Sequence, residues 1–66
     1  MVVKIIEVIG VSAESFEDAI RQSVARTAKT VSGITGVDVV GQTAKVQDGK
    51  VVEFRVNLKI AFVVKD

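Results

Sequence analysis

The sequence predicts an α+β chain: a three-stranded antiparallel sheet wrapped on one long helix, in the order strand, helix, strand, strand. Three observations carry this. The stretch Lys50 to Lys65 reads KVVEFRVNLKIAFVVK, with Val52, Phe54, Val56, Leu58, Ile60, Phe62 and Val64 at alternate positions. Glu53, Arg55, Asn57 and Lys59 lie between them. A period of two marks a strand with two unlike faces. Phe16, Ala19, Ile20, Val24, Ala28 and Val31 recur instead at helical spacing, as one apolar stripe. Between the last two β-branched runs sits Asp48-Gly49, the residue pair of a tight hairpin turn.

The first strand covers Val2 to Val11. It is rich in Val and Ile on both faces, as suits a strand covered on two sides. Gly10 near its end marks a bend or a close approach of another backbone. The helix follows, with Ser12 as an N-cap and Ser15, three residues before Asp18, as a second choice. Glu14, Glu17 and Asp18 come early and Arg21, Arg26 and Lys29 late, an order that complements the helix dipole. Glu17 and Arg21 form an i,i+4 pair in the favourable orientation. Gly33 is the expected stop, in a left-handed C-cap conformation.

The hairpin turn sets a register in which Gln47 faces Lys50. Carried back without interruption, it places Thr43 opposite Phe54, Gly41 opposite Val56, Val39 opposite Leu58 and Val37 opposite Ile60. That is the face for the helix. The other face then pairs Ala44 with Glu53, Gln42 with Arg55, Val40 with Asn57, Asp38 with Lys59 and Gly36 with Ala61. Charges and amides meet there as cross-strand pairs should. A bulge near Gly41 would shift the pairs beyond it.

The final strand is too long for its domain. About fourteen residues at roughly 3.3 Å each extend about 45 Å. A compact chain of this length has a radius of gyration near 11 Å, hence a diameter of about 28 Å. One end must project, and Phe62 and Val64 are placed on it, to be buried by a neighbour. Composition agrees. The chain has 66 residues, 48% hydrophobic, with no Cys and no His. Domains this small recruit disulfides, metals or other subunits. No disulfide, thiolate metal site or imidazole base is available. Self-association remains.

A net charge of +1 with interspersed signs gives no basic stripe for nucleic acid. Nor is there a cationic run for a membrane surface. Lys4 and Glu7 interrupt the leading apolar stretch, so it reads neither as a signal peptide nor as a membrane span. The absence of Cys suits a cytoplasmic protein.

One helix cannot cover two sheet faces. The uncovered face is expected to hold Asp38, Gln42, Arg55, Asn57 and Lys59. Turned toward a cavity or a partner, it is the natural ligand face.

The segments IIEVIGVSAESFEDAIRQSVARTAKT, VDVVGQ and DGKVVEFRVNLKIAF resemble the dodecins, collinearly and over nearly the whole length. The resemblance implies a hollow homododecamer built from trimers, with ligand sites on the inner sheet face. It also implies storage and quenching of flavin (riboflavin, FMN or FAD) rather than catalysis. Flavin-binding members carry a stacking Trp just before the segment that here is Val37-Asp38-Val39-Val40, and commonly a Gln in the final strand. The matching positions here are Gly36 and Arg55. Weak flavin binding is therefore expected. The candidate ligand residues are Gly36, Asp38, Gln42, Arg55 and Asn57. Dodecin-like proteins without the Trp are associated with calcium or with no known ligand, which leaves an ion-binding or purely structural assembly as the alternative.

For calcium, the candidate ligand is Glu14, beside Glu17 and Asp18 and multiplied by a symmetry axis. A solvated, dipole-complementing first turn accounts for the same three carboxylates. Arg55 has a phosphate-pairing reading and an ion-pair reading, with Glu53 or Asp38. Asp38 and Lys59 read as a cross-strand ion pair before an acid–base pair. No nucleophile with a base, phosphate loop or dinucleotide fingerprint is present, so an enzyme is the weakest class.

Overall fold

The computed structural model describes residues 1–65. Strand β1 (Val2–Ser12) leads to helix α1 (Phe16–Thr27), then to β2 (Ile34–Gln47) and β3 (Lys50–Val64). The sheet order is β1-β3-β2, antiparallel throughout. The long alternating strand is therefore the central one. Its even positions point at the helix, and Val56, Leu58 and Ile60 are fully buried against Ala19. Ile6, Val8, Phe16, Ile20 and Ile34 pack around this core. Phe16 meets Phe54 edge to face, with ring centroids 5.0 Å apart, a favoured aromatic geometry.

The start of α1 uses both predicted serines. Ser15 is the N-cap and accepts from the Asp18 backbone N–H at 2.9 Å. Ser12 instead closes the preceding turn. Its Oγ accepts from the Glu14 N–H at 2.9 Å and donates to Asp18 Oδ2 at 2.6 Å. Glu17 and Arg21 form the expected pair, at 3.4 Å and largely exposed to solvent. The helix ends earlier than its stripe suggests, with Ala28 as C-cap at φ −63°. Val31 lies beyond it, its N–H held by the Thr27 carbonyl at 2.9 Å. The β-branched Thr27, Thr30 and Val31 are poor helix formers. Gly33 has the left-handed φ, +79°, but it turns the chain into β2 rather than capping α1.

Gly10 is the close approach that the sequence suggested. A Cβ there would lie 1.8 Å from Ser23 Oγ and 2.9 Å from the Ala19 carbonyl oxygen. The glycine lets α1 sit directly on β1. Replacing Gly10 by Ala is expected to cost about 1–3 kcal/mol by overpacking. Thermal melting should fall by at least several degrees, at ~4–8 °C per kcal/mol for a domain of this size. Adding Ser23→Ala should restore part of the loss, because it removes the nearer obstacle. Unchanged melting of Gly10→Ala would show that the helix can lift at no cost.

The hairpin turn forms as predicted, with Asp48 at φ 53° and Gly49 at φ 75°. The register does not run on uninterrupted. An irregularity between Lys45 and Val46 leaves Val52 as the extra residue on β3, and the partners shift by one. Ala44 faces Phe54, Thr43 faces Arg55, Gln42 faces Val56 and Gly41 faces Asn57. A second bulge, at Val40 beside Gly41, cancels the first. Beyond it Val39–Leu58, Asp38–Lys59, Val37–Ile60 and Gly36–Ala61 pair as predicted. Bulges of this kind add the local twist that a long two-stranded ribbon needs.

The chain is elongated, 51 × 19 × 13 Å, with a radius of gyration of 13.5 Å. The projecting end is the hairpin and not the C-terminal end. Strand β1 stops at Ser12, opposite Phe54, so the ribbon beyond it stands alone with Val46, Val51 and Val52 exposed. Phe62, in contrast, lies between Lys4 of β1 and Ile34 of β2. Both Phe62 and Val64 are already half-buried. The apolar surplus is real: Val2, Val3, Ile5, Ile9 and Val11 of β1 are also exposed. No helix among the described residues is long and apolar enough to cross a membrane.

Candidate functional site

The side chains of the uncovered face come from alternate residues of each strand, and the register arranges them in rows across β1, β3 and β2. Val11, Arg55 and Thr43 form one row. Ile9, Asn57 and Gly41 form the next, then Glu7, Lys59 and Asp38, then Ile5, Ala61 and Gly36. The face is less polar than the sequence reading implied. Its β1 column is apolar and open, with Ile5 55% and Ile9 70% exposed. The β3 column supplies Arg55, Asn57 and Lys59. The β2 column supplies two glycines, one on each side of Asp38.

Gln42 does not belong to this face. The bulges pair it with Val56, whose side chain is in the core, so Gln42 stands on the helix side. A shift of one residue reverses every side chain it reaches. Glu14 lies on neither face. It sits in the exposed link between β1 and α1. Among the described residues no three Asp or Glu side chains converge as a metal site.

Arg55 is engaged within its own strand. Its Nε and Nη2 both donate to Glu53 Oε1, each at 2.9 Å. Asp38 and Lys59 are direct cross-strand partners, while the salt bridges among the described residues are Arg21–Glu17 and Arg55–Glu53. Gly36 and Arg55 are not neighbours. Gly36 pairs with Ala61, six residues along β3 from Arg55, or about 20 Å at strand spacing. One copy of the chain cannot place both on one small ligand.

A cleft of about 280 Å³ opens around the Arg55 and Asn57 rows, lined by Ile9, Gly41, Thr43, Arg55, Val56 and Asn57. Gly41 has no neighbour within 4 Å of where a Cβ would stand, so the floor is backbone. Inside it, Asn57 Oδ1 is buried with no hydrogen-bond donor. An unpaired buried acceptor costs about 1–3 kcal/mol. Sequence reasoning named Asn57 but not Ile9, Gly41 or Thr43. Only Gly41, as a glycine at a bulge, carried a usable signal.

The dodecin family model matches residues 2–65. The chain belongs to the dodecin family. Solved structures agree in fold. A dodecin from Streptomyces coelicolor is 26% identical, with a TM-score of 0.94 over 98% of this chain and 93% of that one. The tt0972 protein of Thermus thermophilus is 29% identical, with a TM-score of 0.93 over 98% and 96%. The calcium dodecin of Mycobacterium tuberculosis is 32% identical, with a TM-score of 0.84 over 98% and 93%. A comparison with curated proteins finds no match. The strand–helix–strand–strand plan is thus the dodecin fold, and membership implies the family's dodecameric assembly.

Proposed function

We propose that this dodecin assembles as a hollow, trimer-based homododecamer whose uncovered sheet face binds and sequesters a small ligand without catalysis. The observation that carries the reading is the composition of that face. Exposed Ile5, Ile9 and Val11 run beside Arg55, Asn57 and Lys59. An apolar wall with a few convergent polar groups is what a small-molecule site requires. The same exposed apolar surface on so small a core favours burial between copies.

Flavin is the family's usual ligand, but this chain contains no Trp. Gly36 stands where the flavin binders stack the ring, and Arg55 is held by Glu53. Riboflavin, FMN and FAD are therefore expected to bind weakly. The likeness to a calcium dodecin supports a second reading, with Ca²⁺ held by carboxylates such as Glu14 from several copies. Among the described residues of one copy no three carboxylates converge, so the 6–8 oxygens that Ca²⁺ takes would be drawn from several copies.

Light scattering in dilute neutral buffer tests the assembly. A particle near twelve times the 7.0 kDa chain is expected, and a folded monomer would overturn the reading. Titration of that particle with riboflavin, FMN, FAD and Ca²⁺ tests the ligand. Weak flavin binding without Ca²⁺ uptake supports the first reading. Saturable Ca²⁺ uptake that is lost in Glu14→Gln supports the second.

A further inference from the structure

We propose that Asp48-Gly49, at the tip of the projecting hairpin, is a site of spontaneous covalent modification, where the chain cyclises to an imide and reopens as isoaspartate.

The reaction needs a free carboxyl, a free amide nitrogen on the next residue, and room for the two to meet. The tip supplies all three. Asp48 and Gly49 are exposed. The Asp48 carboxylate takes no part in the salt bridges of the described residues. Gly49 lies outside the β2–β3 pairing, and its N–H enters no backbone hydrogen bond among the described residues. Nothing lies within 4 Å of where a Gly49 Cβ would stand, so no side chain shields the nitrogen. The other acidic or amide positions in helix and strands lack this freedom. The Ala19 N–H, which follows Asp18, is bonded to the Ser15 carbonyl, and the Asp18 carboxylate is held by Ser12. Asp38 and Asn57 precede Val39 and Leu58, which face each other inside the ladder.

The Gly49 nitrogen attacks Asp48 Cγ. The hydroxyl of the protonated carboxyl and the hydrogen of the nitrogen leave as water, and a five-membered imide closes. Water then opens one of its two carbonyls. Opening at Cγ restores aspartate. Opening at the Asp48 main-chain carbonyl leaves the backbone running through Cβ and Cγ, one methylene longer. No oxidant, reductant or cofactor enters.

The turn must leave its left-handed geometry, φ 53° at Asp48, for the ring to close. Local opening is enough for that. Strand β1 ends at Ser12, opposite Phe54, so only the β2 and β3 arms hold each other near the tip. The irregularity between Lys45 and Val46 interrupts even that ladder, and leaves Gln47–Lys50 and Val46–Val51 as the pairs next to the turn. Loop tips of this kind open at little cost.

The test incubates the assembled protein at neutral pH and 37 °C beside a peptide carrying residues 44–53. Isoaspartate is located by electron-transfer fragmentation, and counted by methyl transfer with an isoaspartyl methyltransferase. It is expected at position 48 alone, at a rate within about tenfold of the peptide, as local opening allows. Asp48→Asn should react faster with loss of ammonia and give the same ratio of isoaspartate to aspartate, since both pass through one imide. Asp48→Glu keeps the charge but would need a six-membered ring, and should stay unmodified. A rate about 10³-fold or more below the peptide, the mark of a site that reacts only on global unfolding or is covered by a neighbouring copy, overturns the proposal. Isoaspartate at position 18, 38 or 57 to the same extent, or product ratios that differ between the parent and Asp48→Asn, would do so too.

Discussion

Replacing Leu58 by Ala is expected to remove most of the stability of this chain. Leu58 is fully buried at the centre of β3, between Val56 and Ile60 and under Ala19 of α1. Truncation to Ala in a core costs about 2–5 kcal/mol, depending on how far the site collapses. A chain of this length has about 3–10 kcal/mol in all. Collapse is difficult here because the strand is held on both sides, by Val8 and by Val39. Denaturant or thermal unfolding at two protein concentrations checks this. The loss should appear at both. Phe62→Ala makes the informative contrast, since Phe62 is only half-buried in one chain. A loss of ~3–5 kcal/mol there requires a neighbouring copy to enclose the ring. Melting would then depend on concentration, because assembly and folding are linked. If Leu58→Ala melts within a degree or two of the parent, the core is not where the burial pattern places it.

The contrast between these two residues shows what was legible in the sequence. Strict alternation from Val52 to Val64 identified β3, its core face and the identity of Leu58 as a core residue. Alternation says nothing about which strands flank the ribbon. The position of β1 beside Phe62 rather than beside the hairpin was therefore out of reach. The turn at Asp48-Gly49 fixed the pairs nearest to it and, because two bulges cancel, also those from Val39 to Gly36. Between the bulges the alternation of β2 gave no warning. Thr43, Ala44 and Lys45 are small or polar enough to sit on either face, so no hydrophobic pattern pinned the register. That is why Gln42 was assigned to the ligand face and stands on the other. The orphaned oxygen of Asn57 depends on which residues the two neighbouring strands set beside it, Ile9 and Gly41, which no local pattern encodes.

Gly36→Trp combined with Arg55→Gln is expected to convert weak riboflavin binding into binding at least tenfold tighter, with quenched flavin fluorescence. Gly36 is exposed, and nothing lies within 4 Å of where its Cβ would stand. Its φ is not in the left-handed region, where Gly33 and Gly49 lie. An L-residue is therefore tolerated, and the indole would project over Ala61 and Ile5 on the open face. Covering about 100 Å² of indole contributes ~2.5 kcal/mol. Stacking adds about 0.5–1.5 kcal/mol. Part of this is lost to ordering the ligand, so ten- to a hundredfold is the reasonable range. Arg55→Gln breaks a partly exposed ion pair with Glu53, worth no more than about 1 kcal/mol, and supplies a neutral donor and acceptor. The two positions are about 20 Å apart in one chain. The gain therefore requires two copies, one bringing the Trp and another the Gln. Fluorescence titration, with particle size measured in parallel, separates the outcomes. An intact assembly with no gain would show that no subunit contact brings the two positions together. A gain by Gly36→Trp alone, undiminished by dissociation into smaller species, would place the whole site within one copy. Tight riboflavin binding by the unmodified chain would show that the surface of Ile5, Ile9 and Val11 already does the work assigned to the indole.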